Sequence, residues 1–128
     1  MQLSLFVQTI IVGLAGSLGA VTRYLLGRII AESVSSQIPF GTLFINVTGA
    51  FAIGLLFALT SQKLLSPALQ TILATGFLGG YTTFSTLCWE GVQLVRRGNT
   101  AQSFCYFAST FVLGLFAALL GIALGGML

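Results

Sequence analysis

The sequence predicts an all-α membrane protein of four transmembrane helices, with the third helix broken near the bilayer midplane. Three observations carry this. Only 5% of the residues are charged and 56% are hydrophobic, whereas a soluble domain has about 25% charged residues. So few charges cannot cover a surface facing water, which leaves lipid as the solvent. The charges Arg23, Arg28, Glu32, Lys63, Glu90, Arg96 and Arg97 leave uncharged stretches at 1–22, 33–62, 64–89 and 98–128. Each is longer than the roughly 18 apolar residues that mark a membrane span. Finally, the third stretch carries glycines and hydroxyl residues in its middle, and these are poor formers of regular helix.

Together the stretches make one four-helix transmembrane domain over residues 1–128, with helices at about 3–26, 40–60, 67–95 and 100–127. The first reads as a span and not a signal peptide. It has no basic leading region, and its apolar run is about twice the usual 7–15 residues. It places Gly13 with Ser17, Ala15 with Gly19 and Gly16 with Ala20 at four-residue spacing. In lipid, helices associate by close backbone approach through such small residues. A polar loop is expected from Arg28 to Pro39. Helix 2 carries Asn46, Ala50, Gly54 and Ala58 along one face, and a short loop with Lys63 follows it. Pro67 suits the first turn of helix 3, where its missing N–H costs nothing.

Helix 3 holds Gly76, Gly79 and Gly80 followed by Tyr81, Thr82, Thr83, Phe84, Ser85 and Thr86. A break there frees backbone groups that are tolerable only when buried in protein or lining a wet cavity. The other reading is a glycine-rich packing face on an intact helix. Three glycines and four Ser/Thr hydroxyls within eleven residues favour the break. Arg96 to Asn99 form the third loop. Helix 4 places Asn99, Ser103, Tyr106 and Thr110 on one face, followed by a packing face of Ala117, Gly121 and Gly125. Four helices of this length enclose no aqueous channel. A transport path must therefore run between subunits or along a groove, and intramembrane polar groups must face it or a partner helix.

Composition also excludes function classes. A net charge of +3 spread over separate segments is no nucleic-acid footprint. There is no histidine, and two distant carboxylates make no catalytic zinc or di-metal site. Cys88 and Cys105 lack CxxC spacing and read as small buried hydrophobes. No nucleophile–base pair is visible, so no enzyme is expected. The polar groups within the spans are neutral donors, which suit a small anion better than a proton relay. Asn46 reads as an interhelical hydrogen bond or as a pore-lining amide, and Tyr106 and Thr110 carry the same two readings. Phe84 packs, or turns its positive ring edge to an anion. Arg23, near the expected end of helix 1, either snorkels to headgroups or funnels anions to a pore mouth. Glu90 faces a water-accessible vestibule or pairs with an arginine.

From Gly76 to Thr86, the run GFLGGYTTFST resembles the signature of the Fluc (CrcB-type) fluoride channels. Gly19-Ala20-Val21-Thr22-Arg23-Tyr24 and Gly41-Thr42-Leu43-Phe44-Ile45-Asn46 agree with the same family in order and spacing. The resemblance implies an antiparallel, dual-topology homodimer with two fluoride paths along its interface and one structural Na+ at its centre. The Na+ would be held by the backbone carbonyls of Gly79 and Thr82, each contributed twice. Asn46 would be a pore donor, Phe84 a ring-edge contact, and Ser85 and Thr86 nearby hydroxyls. Tyr106 and Thr110 match a polar track, Arg23 a vestibule arginine, and Glu90 an acidic position without an assigned role. The chain departs from the family at Leu87, where many members have a second phenylalanine, and at Gly114, where a track serine can occur. Cys88 and Trp89 also replace smaller residues.

The implied activity is passive, selective export of F⁻ from the cytoplasm through the cell inner membrane, conferring fluoride resistance. Two alternatives remain: a small-multidrug-type proton-coupled transporter, which needs a carboxylate in the membrane interior, and a non-conducting assembly subunit. Arg28, Arg96 and Arg97 fall on one side of the membrane and Lys63 on the other. That small bias leaves open a pair of identical chains or a pair with an oppositely oriented homologue.

Overall fold

The computed structural model describes residues 4–128; the expected helix start at Leu3 lies outside them. Five helical elements follow in order: α1 (Leu5–Ser33), α2 (Phe40–Ser61), α3 (residues 67–81), α4 (Ser85–Arg96) and α5 (Thr100–Gly126). Among the described residues, α1, α2 and α5 are each long and apolar enough to cross a membrane. The third span is not one such helix, because it is interrupted at residues 82–84. The 12 residues of α4 rise only about 18 Å at 1.5 Å per residue, roughly half of a 30 Å hydrocarbon core.

Helix α1 corrects the expected boundary. It continues past Leu26 to Ser33 and absorbs the Arg28–Glu32 stretch assigned to a loop. Arg28 Nε and Glu32 Oε1 lie 3.0 Å apart, one helical turn from each other. A pair at this spacing supports a helix at its exposed end. Ser4 caps the other end by accepting a hydrogen bond from the Val7 amide at 3.2 Å. The first connection thereby shrinks to residues 34–39. Ser66 caps α3, with Pro67 in its first turn. Residues Thr71–Leu78 of α3 are wound as π-helix, with hydrogen bonds five residues apart. Helix α4 ends on Gly98 at φ 83. There the Gly98 amide bonds Val95 O and the Asn99 amide bonds Leu94 O, the paired closure that a left-handed glycine permits.

Small residues fix two close helix pairs. Gly16 and Gly19 of α1 lie against the backbone of α3 at Gly76, Phe77 and Tyr81, and Gly80 lies against Gly16. Gly54 of α2 meets Ala118 of α5, Gly121 meets Phe51, and Gly125 meets Ala58. Helix α4 joins α5 through a cluster of Leu87, Leu94 and Tyr106. A second cluster, Ile45, Leu78 and Tyr81, joins α2 to α3. Cys88 is half-buried, but Cys105 is exposed. Cys105 is therefore no core residue; its apolar neighbourhood is the outer face of α5.

Candidate functional site

The interruption between α3 and α4 is held open by hydrogen bonds from other helices. Thr82 leaves helical geometry at ψ 159. An unbroken helix would pair the Thr83 amide with the Gly79 carbonyl. Here the Thr83 amide donates to Asn46 Oδ1 at 2.9 Å, and Asn46 Nδ2 donates to the Thr83 carbonyl at 2.9 Å. One side-chain amide from α2 thus satisfies both backbone groups of one peptide-bearing residue. Thr83 then starts the next helix: its hydroxyl accepts from the Thr86 amide at 3.2 Å and donates to the Thr86 hydroxyl at 3.1 Å. This is the role of an N-cap residue.

The remaining carbonyls of the turn divide sharply. Leu78 O accepts from the Thr82 amide and hydroxyl. Gly80 O accepts from Arg23 Nε at 3.1 Å. Among the described residues, no hydrogen bond reaches the carbonyls of Gly79, Tyr81 or Thr82, the first and last of which are the pair that the resemblance implies. Free, hard carbonyl oxygens at an unwound segment are the donor type that holds Na+ in broken membrane helices. The chemistry of these two groups therefore fits the ion that the resemblance implies.

Two openings flank the turn, and Thr83 lines both. One is a cleft of about 410 Å³ whose polar wall includes Arg23, Thr42, Thr83, Thr86 and Glu90. Arg23 is half-buried and sits well inside α1, not at its end. Its guanidinium turns inward to the broken turn through the bond from Nε to Gly80 O. Glu90 lies on the cleft wall, and among the described residues the only ion pair is Arg28–Glu32. Glu90 instead accepts from the Tyr106 hydroxyl at 3.3 Å, with the Thr42 side chain within polar reach of both.

The other opening, of about 470 Å³, is lined by Asn46, Thr82, Thr83, Phe84, Leu87 and Thr110, with Gly114 farther along. Phe84 is 77% exposed and points away from the bundle. Ser85 is exposed and lies in neither wall; its hydroxyl is 3.4 Å from that of Thr83.

The face of α5 chosen for its hydroxyls performs three separate tasks. Ser103 is buried and donates to the Gly91 carbonyl at 2.8 Å. Tyr106 is 1% exposed, packs with Leu87 and Leu94, and reaches Glu90 only through its hydroxyl. Thr110 lines the second opening and donates to its own helix at Tyr106 O. Leu87 fills the space between α4 and α5 as a buried core residue. Thr83 and Thr42 were not singled out from the sequence. Thr42 lies one turn before Asn46 on the same helical face, a spacing that could have identified it.

A family described as "CrcB-like protein, Camphor Resistance (CrcB)" matches residues 10–122. A protein from Aquifex aeolicus named "Fluoride-specific ion channel FluC" is 44% identical over 115 residues, covering 89% of this chain and 93% of the relative. One of the same name from Thermus thermophilus is 41% identical over 119 residues, 93% of this chain and 95% of its own length. "Fluoride-specific ion channel FluC 1" from Listeria monocytogenes is 40% identical over 121 residues, 94% of this chain and 99% of its own. These relatives are channels by name, not enzymes. With three helices able to cross a bilayer, the chain is a membrane protein, and it belongs to the CrcB-like family.

Proposed function

We propose that this chain is a fluoride-selective passive channel of the cell inner membrane, exporting F⁻ from the cytoplasm. Two copies in opposite orientations frame two pores, and one Na+ sits where their broken turns meet. The observation that carries the reading is the turn itself. Clamped by Asn46, it projects Phe84 outward beside Thr110 into an open groove. Polar groups such as these belong against a path or a partner, not against lipid, which supports a second copy across the groove. The names of the relatives supply the ion.

The barrier to fluoride conduction is dehydration. Several neutral donors must replace water while leaving binding weak enough for exit. The groove offers the second N–H of Asn46 and the Phe84 ring edge, without a carboxylate in its wall; the Thr110 and Thr83 hydroxyls also line it and donate to fluoride only by turning away from the Tyr106 carbonyl and the Thr86 hydroxyl. The guanidinium of Arg23 raises the local concentration of anions at the adjoining cleft. Outward flow is driven by the inside-negative potential, about 2.3 kcal/mol per charge per 100 mV, and needs no ATP. The Gly79 and Thr82 carbonyls of the two copies would hold the Na+, whose charge would satisfy them in the absence of water. Liposomes containing only the purified chain, read with a fluoride electrode, test the proposal. Rapid fluoride efflux with chloride retained is expected; equal release of both ions, or none, removes it.

A further inference from the structure

Arg23 does more in this structure than line a cleft. It lies one helical turn beyond Gly19, at the place where α1 and α3 are in backbone contact. Its Nε donates to Gly80 O, a contact that spans 57 residues of sequence. Of the two carbonyls between Gly79 and Thr82, that of Gly80 is the one held by a hydrogen bond. Holding it on α1 fixes the plane of the 80–81 peptide, and through the Gly80 φ and ψ that plane constrains where the Gly79 carbonyl points. Asn46 pins the far end of the same turn at Thr83.

We propose that Arg23 is a positioning residue of the cation site: by anchoring the Gly80 carbonyl to α1, it holds the turn in the form that leaves the Gly79 and Thr82 carbonyls directed at the ion. This rests on the reading of a cation at the break. Its charge opposes its geometry here. A guanidinium beside the turn repels a cation, so Arg23 acting through charge alone would weaken Na+ binding, and its removal would tighten it. Acting by position, its removal loosens binding. The sign of the effect separates the two.

The test uses the full chain in detergent, purified throughout in N-methyl-D-glucamine chloride, with thermal unfolding followed while Na+ is titrated. The parent is expected to gain stability with Na+. Arg23→Gln is expected to raise the half-saturating Na+ concentration about tenfold, within the range of ordinary coupling between sites. Arg23→Lys, which keeps the charge and loses the fixed Nε, should fall between. Arg28→Gln, at the exposed end of the same helix, should match the parent. A purely structural role would lower melting without Na+ and leave half-saturation unchanged. That result, or tighter binding in Arg23→Gln, overturns the proposal, and Arg23→Lys decides it if Arg23→Gln does not fold. A parent indifferent to Na+ removes the cation reading and this proposal together, while fluoride efflux from the parent reports separately on conduction.

Discussion

Asn46 shows how one side chain can carry both architecture and chemistry. Its Oδ1 and one N–H are committed to Thr83, leaving the second N–H for an anion. In Asn46→Asp the acceptor to the Thr83 amide remains, but the donor becomes a second oxygen facing the Thr83 carbonyl. An unsatisfied buried group costs about 1–3 kcal/mol, and a carboxylate in the groove also repels fluoride. We expect fluoride efflux from liposomes to fall roughly tenfold or more, as about 1.4 kcal/mol in a barrier requires. Phe84→Ile tests the neighbouring contact. The ring is 77% exposed within one chain, so melting should change by no more than about 0.5 kcal/mol, while efflux drops because an alkyl group has no positive edge. Unchanged efflux in both variants would contradict the assigned pore. The importance of Asn46 was legible from an amide placed deep in an apolar span. Its partner was not, because nothing local links it to a residue 37 positions away.

At the scale of elements, glycines decide which helices touch. Gly121 of α5 faces Phe51 O, with the Leu55 amide 2.8 Å from where a Cβ would stand. Backbone cannot retreat as a flexible side-chain end can. Gly121→Val should therefore separate α2 from α5 and cost about 1–3 kcal/mol by overpacking. Gly114→Val, at a position with nothing within 4 Å of a Cβ, should cost far less. Thermal unfolding of the two variants in detergent measures the difference; equal losses would mean that the α2–α5 contact is not built on Gly121. Small residues at four-residue spacing announced this packing in the sequence. The break in the third span was likewise visible in Gly79, Gly80 and the threonines after them. Where it opens, at residues 82–84, depends on Asn46 and Arg23, which arrive from other helices. The end of α1 was misplaced for a different reason. Arg28 and Glu32 look like loop residues one by one, yet at i,i+4 they pair and prolong the helix.

At the scale of the whole molecule, the chain leaves its most informative surface uncovered. Phe84, Phe111 and Leu115 border the opening that also shows Asn46, Thr83 and Thr110, and lipid offers nothing to those polar groups. A second copy running the opposite way would bring an equivalent turn to the same place, which requires both orientations to exist. The contact of Asn99 with Gln37 puts Arg96 and Arg97 at the same end as the 34–39 connection, and Lys63 follows α2 at the other end. Positive residues favour the cytoplasmic side, so three arginines against one lysine is a bias that the proposed dual insertion must overcome, and an oppositely oriented homologue is the alternative. Ser35→Cys, in a Cys88→Ala, Cys105→Ala background, reports on this in intact cells with a membrane-impermeant thiol reagent. Ser35 lies exposed in the first connection. About half of the chains should react from outside, and the rest only after permeabilisation. Labelling of all the chains from one side alone would mean a single orientation. If such a uniformly oriented chain still releases fluoride when reconstituted alone, the antiparallel pair is wrong and the groove must be closed by some other surface of the same protein.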